Sequence, residues 1–175
     1  VYDPIKFPIE IQDHESEDEE LNLYSPKLDG NFMITNSTEY DQFIGINEEL
    51  ISAMQILPLN KALFTNSDVH HATKVVRALG VEQFFSVIVD VYATNFVPKP
   101  QLEAYDSLFR DLSAEPSECI FLDDQERNLD VAKSLGMTTV LVSHDGVKNT
   151  NADYMVFNVL EGCAVVKGLC AQDSA

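Results

Sequence analysis

From about residue 45 onward, apolar and polar positions switch between two periods. In "NEELISAMQIL" (47–57), Leu50, Ile51, Met54 and Leu57 share one face of a helix. "KALFT" (61–65) is a short continuous apolar run, as in a buried strand. "VHHATKVVRAL" follows as a helix, with Asn66, Ser67 or Asp68 as its cap and Gly80 as its left-handed stop. "FFSVIVDV" (84–91) predicts a strand, and Pro100 suits the first turn of the helix "QLEAYDSLFRDL". "CIFLD" (119–123) predicts another strand, "QERNLDVAKSL" a helix stopped by Gly136, and "TTVLV" (138–142) a further strand. "YMVF" (154–157) and a helix near 159–170 close the series. Strands alternating with helices at this spacing predict an α/β fold, a Rossmann-like three-layer sandwich with a mainly parallel sheet. Nothing repeats at a fixed period, which argues against a solenoid.

Before residue 45 the pattern is irregular, with Pro4, Pro8, Pro26, Gly30 and the acidic tract "DHESEDEE" (13–20). Such a tract is the signature of a solvated segment. Short strands are expected at 7–12 and 31–35. The chain therefore divides into an irregular acidic segment, 1–45, and an α/β core, 46–175.

Composition narrows the partners. The 175 residues carry a formal net charge of −18, which disfavours nucleic acid and anionic membrane surfaces. No apolar run reaches the ~18 residues of a membrane span, and "VYDPIKFPIE" lacks a signal pattern. The chain does not open on Met, the expectation for a processed, excised or incomplete product. Three cysteines, with Cys163 and Cys170 on one predicted helix and Cys119 in a strand, fit reduced intracellular surroundings. The four histidines form no i, i+4 pair and read as ordinary surface or core residues.

Open parallel sheets bind ligands beyond the carboxyl ends of their strands, and three such ends carry polar residues here. Thr65-Asn66-Ser67 meets a helix N-terminus, where backbone N–H groups favour an anion; a plain cap and turn serve the same residues. Lys99, between Pro98 and Pro100, is a point charge on a stiffened backbone, suited to a transferring phosphoryl group or simply to a surface loop. Asp123 and Asp124 repel each other, and alternation turns one of them inward. Mg2+ would relieve that repulsion; the plainer alternative is that Asp124 caps the next helix while Asp123 is solvated. Asn128 and Asp130 are placed to brace the loop.

Taken together, "ALFTNSD" (62–68), "VPKP" (97–100) and "IFLDDQERNLDVAKSLGMTTVLV" (120–142) resemble the haloacid dehalogenase (HAD) superfamily of phosphohydrolases. The likeness covers roughly residues 45–160 and is greatest to the pyrimidine 5′-nucleotidase-like branch. It implies that Thr65, with Asn66 beside it, binds phosphate, that Lys99 is the catalytic lysine, and that Asp123 and Asp124 ligate Mg2+. It also implies an apolar strand followed by Asp-x-Asp-x-Thr, supplying a nucleophile and a general acid. No such motif precedes Thr65. The nearest substitute is "IEIQDHESE", with Asp13 and Glu15 at the right spacing. The interval from Asp13 to Thr65 leaves no room for a full helical cap domain. Two functions follow: an Mg2+-dependent phosphomonoesterase for small phosphorylated molecules such as nucleoside monophosphates, truncated or degenerate in its nucleophile motif; or a non-catalytic HAD-like subunit with a protein partner.

Overall fold

The computed structural model describes residues 9–10, 25–26, 44–144 and 150–172. Two short strands, β1 (Ile9–Glu10) and β2 (Ser25–Pro26), pair antiparallel. The remaining elements alternate: α1 (Glu48–Gln55), β3 (Lys61–Phe64), α2 (Val69–Ala78), β4 (Phe85–Val89), α3 (Leu102–Leu112), β5 (Ile120–Asp123), α4 (Glu126–Ser134), β6 (Thr138–Val142), β7 (Tyr154–Val156) and α5 (Val159–Gln172). This is the Rossmann-type α/β architecture that the period switching predicts, with every pairing from β3 onward parallel.

Local chemistry sets the boundaries. Asn47 and Asp68 cap α1 and α2, their side chains accepting from Leu50 N and His71 N at 2.9 Å each. Gly80 and Gly136 end α2 and α4 with φ of +76° and +99°, which glycine adopts without steric cost. The strand expected at 84–91 is shorter, because Glu82–Phe84 forms a 3-10 turn and Asp90 folds back to bind nearby amides. Pro100 does not lie in the first turn of α3: the Lys99-Pro100 bond is cis, and Gln101 is the extended N-cap. The strand expected at 7–12 is represented by Ile9–Glu10, and the one expected at 31–35 lies outside the described residues.

Among the described residues the strands from β3 onward form two groups, β3-β4 and β5-β6-β7. One apolar layer runs under both, joining Phe64, Val89, Phe121 and Leu141 to Tyr105 and Leu108 of α3 and Leu129 of α4. The Phe64 and Tyr105 rings meet edge to face at 5.3 Å, and Phe121 packs against both. On the opposite face, α1, α2 and α5 cover β3, and α5 covers β5, β6 and β7. The carboxyl ends of β3 and β5 thus come together over a shared core.

Candidate active site

The sequence Phe64-Thr65-Asn66 leaves β3 just as the backbone turns into α2. Thr65 N–H still bonds Val89 O, at 2.9 Å, while its hydroxyl accepts from Ser67 N at 3.0 Å. Asn66 reaches across to the Lys99 loop: its Oδ1 accepts from Lys99 N at 2.8 Å, and its Nδ2 donates to Lys99 O at 3.2 Å. A primary amide is the side chain that can satisfy a backbone donor and acceptor together. Asn66 therefore fixes the position of Lys99, in addition to standing beside Thr65 as expected.

The Lys99 side chain is buried. Its Nζ donates to Phe64 O at 2.9 Å and to Asp123 Oδ2 at 2.7 Å, and it lies 4.9 Å from the Phe64 ring centre and 5.2 Å from that of Phe121. The two rings attract the ammonium through their negative faces. Asp123 is equally buried and holds its other oxygen toward Gln125 N, 2.8 Å, and Asn128 Nδ2, 2.9 Å. Asn128 is positioned in turn by Tyr105, whose hydroxyl donates to its carbonyl at 2.8 Å. Burial, then the charge of Asp123, holds the Tyr105 phenol neutral well above its usual range.

The alternative in which Asp124 caps α4 and Asp123 is solvated does not hold. Asp123 is the inward acid, and the N-cap of α4 is Gln125, which makes no side-chain cap bond. Alternation along β5 decides this, since Asp123 is the last strand residue and points into the structure. Asp124 is half-buried with a 3.4 Å bond from Gln125 Nε2, and its pKa is raised by burial and then by Asp123. Asn128 braces the loop as expected; Asp130 instead accepts from Asn151 at 3.2 Å.

Asn66, Lys99 and Asp123 are linked by direct contacts, with Thr65 and Asp124 adjoining in sequence. Asp13 and Glu15 lie outside the described residues. Sequence reasoning missed Asp90, which is buried and accepts from Val69 N at 2.8 Å, Tyr92 N at 3.1 Å and Ala93 N at 2.9 Å. Its signal was an acid ending the apolar run "FSVIV". By tying the loop after β4 to the start of α2, it supports the segment that leads to Lys99.

This fold and this site define an α/β domain whose polar groups gather at the carboxyl ends of parallel strands. The chain belongs to the haloacid dehalogenase-like hydrolase family, whose sequence model matches residues 7–136. Mouse bifunctional epoxide hydrolase 2 is 36% identical over 62 residues, 35% of this chain and 11% of that protein. A HAD phosphatase from Thermococcus onnurineus shares the fold with a TM-score of 0.64 and 22% identity, covering 75% of this chain and 62% of that one. The HAD-hydrolase YfnB from Bacillus subtilis, described as bound to magnesium, gives 0.60 and 18% identity over 74% of this chain and 61% of that one. The chain thus spans about a tenth of the length of the curated relative and under two thirds of these solved structures.

Proposed function

We propose that this domain binds the phosphate of a small phosphorylated molecule beside Thr65 and Lys99, as an Mg2+-dependent phosphomonoesterase does, with nucleoside monophosphates as the substrate class. The observation that carries this reading is the buried Lys99–Asp123 pair at the joined ends of β3 and β5. Burying two opposite charges costs several kcal/mol per ion, and a core built for stability alone does better with apolar residues. Here the pair sits with an amide, a hydroxyl and a second acid at the end of the sheet where α/β proteins bind ligands.

The oxygen-rich donor set fits Mg2+. Asp124 stands close to Asp123 with a raised pKa, and Asn128 Oδ1 is buried without a hydrogen-bond partner. Mg2+ uses one or two carboxylates, with water and phosphate oxygens completing its shell. When bound it would neutralise charge on the phosphoryl oxygens. Asp123 and Asp124 would hold it, and Asn128 would orient Asp123. Lys99 would offer a fixed positive charge to the phosphoryl group, and Thr65 a hydroxyl. Asp13 and Glu15 are the nucleophile and acid–base candidates by sequence spacing alone.

A second reading, a non-catalytic HAD-like subunit, rests on the sequence, in which no Asp-x-Asp-x-Thr motif precedes Thr65. Incubation with Mg2+ and p-nitrophenyl phosphate or uridine monophosphate separates the two. Turnover that disappears in Asp13→Asn supports the enzyme; no phosphate release from either substrate supports the non-catalytic subunit.

A further inference from the structure

The loop between β4 and α3 turns two aromatic rings outward. Tyr92 and Phe96 are 60% and 67% exposed, and their rings meet edge to face at 5.1 Å with 72° between the planes. Their neighbours are held inward: Thr94 is buried, and Ala93 and Val97 pack on the apolar layer under the strands. Hydrogen bonds fix the loop at each step. Asp90 accepts from Tyr92 N and Ala93 N, Thr94 Oγ1 donates to Val91 O at 3.1 Å, and Phe96 N donates to the same oxygen at 2.7 Å. Asn95 and Phe96 are left-handed, with φ of +53° and +62°. That conformation is disfavoured for a bulky side chain and persists only where the surroundings impose it. Here it occurs at a phenyl ring held in water, against the hydrophobic effect.

The loop adjoins the candidate phosphate site on both flanks. Val91 N donates to Ser67 O at 3.2 Å, and Phe96 is one further backbone hydrogen bond away, through Val91 O. Two such steps of the usual ~4.8 Å place its backbone within roughly 10 Å of Ser67. From the other side Phe96 lies three residues before Lys99, at most about 11 Å along the chain. A ribose set between a phosphorus atom at Thr65 and Lys99 and its base spans a distance of the same order. Area selects among occupants. The two rings offer on the order of 250 Å² of exposed surface, about a third of the ~800 Å² that one side of a stable protein interface buries. That is enough for one planar ring system and too little for a protein. An edge-to-face pair also leaves a ring face open on each partner, the surface on which bases stack.

We propose that Tyr92 and Phe96 read the leaving group of the phosphomonoester. The planar base of a nucleoside monophosphate stacks against the exposed pair while its phosphate meets Thr65 and Lys99. This assignment rests on the phosphate-binding reading above and adds the residues that determine specificity for a base over a plain sugar.

The test uses the full chain with Mg2+ and two ligands that cannot be hydrolysed, the methylenephosphonate analogues of uridine monophosphate and of ribose 5-phosphate, titrated by calorimetry. The uridine analogue should bind about tenfold tighter, as one base–aromatic stack provides. Phe96→Leu keeps an apolar side chain without a π face, and Phe96→Gly takes the φ of +62° without strain. Both should bring the uridine analogue down to the affinity of the ribose analogue, whose own binding stays unchanged. Tyr92→Leu should likewise weaken the uridine analogue alone. Equal binding of the two analogues to the parent chain overturns the proposal and leaves the phosphate site intact, as does a preference that survives in both Phe96 variants. Failure of both analogues to bind removes the phosphate site itself, and the proposal with it. Self-association of the parent chain in analytical ultracentrifugation that vanishes in both Phe96 variants assigns the pair to a second copy of the chain and also overturns it.

Discussion

An ammonium and a carboxylate buried together depend on each other far more than an exposed pair does. Lys99 and Asp123 are 7% and 6% exposed, so removing either side chain leaves the other charge desolvated and unpaired. Lys99→Met is expected to lower unfolding stability by about 3–5 kcal/mol, and Asp123→Asn by a comparable amount. The double variant should lose less than the sum, since no orphan charge remains. Urea unfolding of the four proteins forms the cycle, and additive losses would show that the pair acts as two independent sites. His71 makes a different prediction. Burial holds its pKa below the ordinary 6.5, against the pull of Asp68 and with that of Lys74. The unfolded chain therefore binds the proton more readily than the native one. Its contribution to stability is complete above about pH 6.5 and is lost as pH falls through that value toward the folded pKa. Between pH 7.5 and 5.5, the decline of the urea midpoint should be shallower in His71→Gln than in the parent. Equal slopes would remove His71 from the account.

At the scale of elements, the strand ends set what could be foreseen. The apolar periods and the caps Asp68, Gly80 and Gly136 are local features, so the order of helices and strands was legible from them. Thr65, Asn66, Lys99, Asp123 and Asp124 could be named as candidates because they lie at or beyond the ends of predicted strands. The partners of these residues were not legible. That Asn66 bonds the backbone of Lys99, 33 positions away, depends on how β3 pairs with β4 and how the loop after β4 returns to it, which no local pattern encodes. The same holds for Asp123, whose inward direction required the register of β5, and for Pro100, whose expected helical position gave way to a loop held from Asn66. Asp90 gives the sharpest test at this scale. Its carboxylate receives three backbone N–H groups, and a buried N–H that loses its acceptor costs a large part of its desolvation. Asp90→Ala should cost about 2–4 kcal/mol, and Asp90→Asn less, because one amide oxygen still accepts. A loss below ~1 kcal/mol on Asp90→Ala, by urea unfolding, would show that water replaces the carboxylate.

Charge governs the behaviour of the molecule as a whole. A formal net charge of −18 on 175 residues makes the compact state repel itself, and added salt screens that repulsion over a Debye length of roughly 10 Å at 0.1 M. The Tm should therefore rise with NaCl. A shift of about 2–4 °C corresponds to ~1 kcal/mol for a chain of this size. General screening must be separated from a specific cation effect, since any divalent ion is attracted to so acidic a surface. The comparison is MgCl2 against NaCl at matched ionic strength. If Asp123 and Asp124 hold Mg2+, the MgCl2 series should exceed the NaCl series, because a ligand that binds only the native state adds stability logarithmically with its concentration. At a hundredfold excess over Kd the increment approaches ~2.7 kcal/mol. Asp124→Asn removes one of the two acids and relieves their mutual repulsion. It should raise the Tm at low salt and abolish the difference between the series. A difference that survives in Asp124→Asn would place the Mg2+ effect elsewhere on the acidic surface, and coincident series in the parent protein would remove the metal from the proposed function.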